Sequence, residues 1–192
     1  MEKYSLPDIP PLTLAYIAGQ VDGEGTISIR RGARSRVRID ATLFEEYSAS
    51  LSVAQKDRAI LEWLRATFGG GSIIQIKAGG FNRENYTPTY YWKVQARQAT
   101  EAVRAIAPYL RIKKRQADVI AAFAEAKAQY RWRRRPVGYR GGMLPTPPDL
   151  LETYRRLCTE IQTLNGRKVI NVGPRVPKAA RIEHSASSDA FG

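Results

Sequence analysis

The chain is poor in cysteine and histidine: Cys158 and His184 are the only ones among 192 residues. A single cysteine excludes an internal disulfide and a cysteine-based zinc site. His184 falls in an aperiodic C-terminal stretch, a poor place for a metal ligand. No uninterrupted apolar run approaches the ~18 residues of a membrane span. The N-terminus, MEKYSLPDIPPL, lacks the basic region and apolar run of a secretory signal. Together these absences set the expectation of a reducing, intracellular setting with no membrane partner. Acids are also scarce, 18 against 31 Lys and Arg, for a net charge of +13.

Such an excess points to a polyanionic partner. The arginines are clustered, in Arg30, Arg31, Arg34, Arg36 and Arg38 and again in Arg131, Arg133, Arg134, Arg135 and Arg140. Clustering argues for a footprint rather than a merely soluble surface. A hydrophobic content of 43% over this length suits one domain with a proper core. That domain is expected to span residues 1–168, with 169–192 a basic flexible tail.

Leu14, Ile17 and Val21 share one helical face, and from Thr26 the pattern alternates as a strand does. Ser48 to Val53 alternates again, and Lys56 to Phe68 reads as a helix stopped by Gly69-Gly-Gly71. Ser72 to Lys77 and Tyr90 to Ala96 read as paired strands, followed by helices over Ala99–Tyr109 and Lys114–Tyr130. An Arg/Gly/Pro-rich loop leads to a last helix, Asp149 to Leu164. The order αββαββα, followed by further helices, predicts an α+β fold with one four-stranded antiparallel sheet backed by helices. Thr26, Ser28 and Arg30, then Ser48, Ser50 and Ser52, then Gln75 and Lys77, then Lys93 and Gln95 are expected to face away from the helices. Such a polar, cationic ribbon suits a DNA major groove, where side chains read base edges.

The stretch AYIAGQVDGEGTISI, residues 15–29, raises a specific problem. A helix ends in two acids, Asp22 and Glu24, where its dipole disfavours negative charge. A compensating cation is required. The same helix carries a stripe of small residues, Ala15, Ala18 and Gly19, running on to Asp22, which permits close approach of a partner helix. The chain holds no second copy of the pattern, so a two-fold homodimer is the economical arrangement. It would gather two copies of Asp22-Gly23-Glu24, and crowded carboxylates hold a hard divalent cation through oxygen.

Ile17-Ala-Gly-Gln-Val-Asp-Gly-Glu-Gly25 resembles the signature helix of the LAGLIDADG homing endonucleases, and its single occurrence resembles their homodimeric branch. Ser52-Val-Ala-Gln-Lys56 is similar to the family segment carrying an active-site glutamine. Pro108 to Ala117 is similar to its L-x-x-K-x-x-Q turn, and Asp149 to Asn165 to its closing helix. The resemblance implies the αββαββα homing-endonuclease fold and Mg²⁺-dependent hydrolysis of double-stranded DNA at a long pseudo-palindromic site, with Mn²⁺ or Ca²⁺ able to take the same place. It also implies an origin in a mobile intron and no small-molecule substrate.

Carried across, Glu24 is the metal-binding catalytic carboxylate, where the family usually has aspartate, and Gly23 offers its carbonyl to the same ion. Asp22 is structural at the helix end, and Gln55 and Lys113 order and polarise water. Ala15, Ala18 and Gly19 form the dimer interface, and Arg167 and Lys168 join the sheet residues in binding DNA. Ala59 stands where the family has a basic residue, with Arg58 or Lys56 as substitutes. The rival readings are an RNA maturase or a non-catalytic DNA-binding regulator on the same fold; Glu24, Gln55 and Lys113 weigh against the regulator. A basic RNA-binding structural protein would need stacked aromatics on the sheet, and Trp92 alternates inward.

Overall fold

The computed structural model describes residues 5–35, 43–76, 88–131 and 146–166. Lys77, Arg167, Lys168, His184, the arginines from 133 to 140 and the whole 169–192 stretch lie outside the described residues. Helix α1 runs Pro11–Glu24, strand β1 Gly25–Ser35, β2 Leu43–Gln55, helix α2 Arg58–Thr67, β3 Ser72–Ile76 and β4 Thr89–Gln95. Helix α3 (Ala96–Ile106), a 3₁₀ turn (Ala107–Tyr109), α4 (Lys114–Arg131) and α5 (Pro148–Leu164) complete the order. The four strands form one antiparallel sheet in the order β1-β2-β4-β3. This is the α+β architecture that the alternation of patterns predicts.

Local chemistry explains the boundaries. Pro11 opens α1 at a position where a missing N–H costs nothing. Asp57 caps α2 by accepting from the Ala59 amide at 2.8 Å, worth about 1 kcal/mol. Gly69 follows α2 with φ +65°, the left-handed conformation in which helices commonly stop. Strand β2 begins at Leu43, several residues before the alternation becomes legible, because Glu45 is drawn into the ladder by arginines on neighbouring elements.

All helices that pack do so on one side of the sheet. Ile27, Leu51, Val53 and Trp92 point from the strands into a core completed by Ile17, Leu61, Phe68, Ile106, Phe123 and Ile161. Burying each such side chain stabilises the fold by roughly 1.5–3 kcal/mol. Trp92 is fully buried, stacks on Phe68 at 5.3 Å and donates from Nε1 to the Gly70 carbonyl at 3.0 Å. Gly71 is obligatory beside it, since φ is +104° and a Cβ would lie 2.4 Å from that indole nitrogen. The inward tryptophan is unavailable for base stacking on the outer face, where Tyr91 is its aromatic neighbour.

Trp92 also fixes the phase of the neighbouring strand and corrects one expectation. In β3, Ile73 pairs with Trp92 and Gln75 with Tyr90. Opposed residues share a face and successive ones alternate, so Gln75 lies on the helix side, not with Lys93 and Gln95. Ser72 and Ile74, opposite Lys93 and Tyr91, take the outward places. The run Ser-Ile-Ile-Gln-Ile is apolar on both parities, so its polar member suggests the wrong phase.

Candidate functional site: the acidic turn, the open helix face and the outer sheet

The acidic turn comes first. A Cβ on Gly25 would lie 2.6 Å from both Cα and O of Val21, so β1 leaves α1 at a contact distance that only glycine permits. Asp22 turns back to the segment before α4: Oδ2 accepts from the Arg111 amide at 2.8 Å and Oδ1 from the Lys113 amide at 2.9 Å. Lys113 Nζ donates to the carbonyl oxygens of Val21 (2.8 Å) and Asp22 (2.5 Å). The cation that compensates the helix end is therefore, for Asp22, the chain's own ammonium. Partial burial raises the Asp22 pKa, but the amide bonds and the Lys113 charge outweigh it and hold the carboxyl below its ordinary value. Burial pushes the Lys113 ammonium down, and the charges of Asp22 and Glu24 pull it back up.

Glu24 differs from its neighbour. It is exposed at the end of α1 and has no hydrogen-bond or ion-pair partner among the described residues. Lys113 has three N–H donors and spends two on α1 carbonyls, leaving one for an outside acceptor. Gln55 ends β2 and donates from Nε2 to Gln20 Oε1 at 3.1 Å, while Gln20 Nε2 reaches the Tyr16 hydroxyl at 3.4 Å. Gln20 is thus a member of the group that the sequence reading misses. Its only signal is a polar residue one helical turn before Glu24. Arg58 bonds Glu62 through Nε (3.1 Å) and Nη2 (3.0 Å) and lies over the Tyr90 ring at 5.9 Å. Of the two cations expected to replace the one missing at Ala59, Lys56 is the exposed one with no described partner.

The outward face of α1 is rotated from the one anticipated. Ala18 is 0% exposed and sits in the chain's own core beside Ile17 and Val21. At 100° per residue positions 17, 18 and 21 share one face, so Ala18 is not available to a partner. The open face is instead Leu12, 86% exposed, Tyr16, 52% exposed, and the exposed Gly19 and Gly23, with Ala15 half-buried at its margin. Trp63 meets Tyr16 edge-on with ring centroids 5.6 Å apart. A Cβ on Gly19 or Gly23 would meet nothing within 4 Å. Glycine in a helix costs about 1 kcal/mol relative to alanine, and no contact within the described residues requires it at either place.

On the outer sheet, Ser28, Ser50 and Gln95 lie in one row, with Arg30 and Ser48 on one side and Thr26, Ser52, Lys93 and Ser72 on the other. The Gln95 amide oxygen, turned toward them, accepts from Lys93 Nζ at 2.7 Å and Arg30 Nη1 at 3.1 Å. Ser50, only 4% exposed, lies in the middle of this group. Burial and then the Arg30 charge push the Lys93 ammonium down. Far from the acidic turn, on the inner side, Glu45 accepts from Arg31, from Arg155 Nε at 3.1 Å and from the Tyr47 hydroxyl at 2.8 Å. Burial raises the Glu45 pKa, but these donors hold it below its ordinary value.

No family model matches the chain, and no curated protein matches it in sequence. Solved structures match its fold. The homing endonuclease I-CvuI, solved with its DNA target and calcium, covers 90% of this chain over 91% of its own, at 17% identity and a TM-score of 0.57. The archaeal intron-encoded homing endonuclease I-Vdi141I, solved with DNA, covers 84% over 89% of its own chain, at 20% identity and a TM-score of 0.60. The meganuclease I-SmaMI covers 79% of this chain but only 44% of its own length, at 17% identity and a TM-score of 0.53. The fold of this chain is the homing-endonuclease fold.

Proposed function

We propose that the chain is a site-specific DNA endonuclease that acts as a homodimer on a long, roughly two-fold symmetric duplex and hydrolyses phosphodiester bonds with a divalent cation, Mg²⁺ in the cell. The observation that carries this reading is Glu24: an exposed, unpartnered carboxylate at the foot of a helix whose open face is lined by Gly19 and Gly23. The glycine cost is offset if a second copy brings its own α1 to backbone distance. A chain that spans under half of I-SmaMI fits an assembly in which two copies do the work of one longer chain.

The donor set fits a hard cation. The described residues contain no group of three or more His, Cys, Asp or Glu placed to hold a metal, and Asp22 is committed to amides. One copy thus offers Glu24 and the Gly23 carbonyl, and a second copy would double that all-oxygen set. Bound there, a divalent cation lowers the pKa of water and neutralises charge at the phosphate. Lys113 presents its remaining N–H to a phosphate oxygen or a water, and Gln55, held by Gln20, orients a water with its free amide oxygen. The outer sheet supplies affinity through phosphate and base contacts, which leaves DNA binding separable from cutting. An intron origin belongs to the same reading.

Incubating the protein with a library of randomised long duplexes, with and without Mg²⁺, tests it. Metal-dependent recovery of cut, roughly two-fold symmetric sites, with a dimer mass in light scattering, is the expected outcome. Duplexes bound but never cut under any divalent cation would leave a DNA-binding protein on this fold and sink the nuclease.

A further inference from the structure

We propose that Arg30, Lys93 and Gln95 form a reader of guanine, so that the target of this chain carries a G·C pair at one symmetric pair of positions. This inference rests on the DNA-binding reading above and adds to it the identity of a base.

With the Gln95 amide oriented so that its oxygen rather than its NH₂ faces the two cations, the orientation that satisfies all three groups, Arg30 Nη1 and Lys93 Nζ, from strands separated in the sheet by β2, both donate to that oxygen, at 3.1 and 2.7 Å. The strongest acceptor of the group is therefore spent internally. What remains on offer is the rest of the guanidinium, the remaining ammonium N–H groups and the Gln95 NH₂: donors only. Neither Arg30 nor Lys93 is paired with an acid in the described ion pairs, and burial first, then the Arg30 charge, depress the Lys93 pKa. A cluster so composed gains by meeting two acceptors side by side. In the major groove only guanine offers that, as N7 and O6. Adenine pairs its N7 with a donor, thymine pairs O4 with a methyl group, and cytosine presents a donor.

Backbone phosphate is the other acceptor-only partner, and position argues against it. The cluster converges over Ser50, which is 4% exposed on the second of four strands, with Lys93 half-buried. A groove-filling ribbon turns its middle to base edges and its rim to phosphates. The centre of the cluster, in the row of Ser28, lies four residues along β1 from Glu24. At ~3.3 Å per residue that is ~13 Å, or about four base pairs at 3.4 Å each, from the point where Glu24 would meet a scissile phosphate.

Selection of bound duplexes from a randomised library, in Ca²⁺ so that cutting does not interfere, tests the inference. Wild type should enrich guanine at one symmetric pair of positions. Arg30→Ala and Lys93→Met should each erase that preference and leave the other positions unchanged. Replacing that guanine by 7-deazaguanine in a recovered site should weaken wild-type binding roughly 5- to 100-fold and leave binding by a variant carrying both Arg30→Ala and Lys93→Met unaltered. Enrichment of another base at the positions that the variants affect would overturn the inference while leaving the endonuclease reading intact. So would a uniform loss of affinity with preferences preserved, which is the behaviour of phosphate contacts. Failure to enrich any duplex would overturn both. Thermal melting of each variant at the wild-type temperature would establish that the fold survives.

Discussion

Glu24 and Glu45 stand at opposite ends of the β1–β2 ribbon and show what the same carboxylate becomes in two settings. Glu45 is held by Arg31, Arg155 and the Tyr47 hydroxyl, is largely buried and has a lowered pKa. Glu24 is exposed and has no described partner. Where the chain supplies the cations, the acid joins two ends of the fold: Arg155 on α5 lies 110 residues from Glu45. Where the only cation near enough to act is Lys113, which bonds the α1 carbonyls instead, the acid stays exposed. Asp22 sits two residues from Glu24 and belongs with Glu45, since backbone amides and the Lys113 ammonium have already claimed it. A helix ending in two acids thus holds one in bonds to the chain and leaves the other exposed.

The contrast breaks first at Glu24. Glu24→Gln should reduce cleavage of a recovered site by at least 10²-fold, with DNA affinity and melting temperature unchanged; near wild-type cutting by this variant would remove Glu24 from the chemistry. Glu45→Gln should do the reverse. It leaves two guanidiniums facing a neutral amide and should cost about 1–3 kcal/mol in denaturant titration. The partial exposure of Arg155 keeps the figure below that of a fully buried pair, and cutting at low temperature should persist. Asp22→Asn keeps one acceptor and loses the charge, for a cost of about 1–2 kcal/mol, and metal affinity read by calorimetry should fall less than in Glu24→Gln.

A pH series separates the same groups. The Asp22 and Glu45 carboxyls sit below ordinary values of 3.8 and 4.5. In each case the unfolded chain binds the proton more readily than the folded one, so their contribution is fully present above those values. It is lost as pH falls through the lower folded pKa. Stability should therefore drop below about pH 4, and less steeply in Asp22→Asn and Glu45→Gln. The smallest expected effect sharpens the comparison most. Gly19→Ala should stabilise an isolated copy by about 1 kcal/mol, because the Cβ meets nothing within 4 Å among the described residues. It should also weaken the dimer in sedimentation and lower cutting. A gain in stability with no loss of association would place the partner elsewhere.

Sequence pattern carries much of this and fails in identifiable places. The strands and helices are legible because inward residues such as Ile27, Leu51 and Trp92 repeat with the right period. Phase is legible only where one parity is polar, which is why Gln75 is misplaced in a strand apolar on both sides while Ser28, Ser48 and Ser52 share a face with Lys93. Ala18 is misjudged because alanine is equally at home in a core and at a helix crossing, and only its neighbours decide. The Lys113 clamp is not visible as geometry in the sequence, since Asp22 and the lysine are 91 residues apart. The Gln20–Gln55 and Glu45–Arg155 bonds are likewise long-range.

That separation has a consequence for the order in which the molecule is made. A ribosome releases Glu24 and Gln55 long before Arg111 and Lys113, and until those two emerge the Asp22 carboxylate and the last α1 carbonyls lack the amides and the ammonium that hold them. The carboxylate proposed to act on DNA thus emerges well before the segment that holds its neighbour Asp22, which comes only once more than half of the chain exists. A fragment ending before residue 111 would keep Glu24 and both members of the Gln20–Gln55 bond and lose the Asp22–Lys113 clamp. Incompletely made copies would thereby carry the proposed site without Lys113.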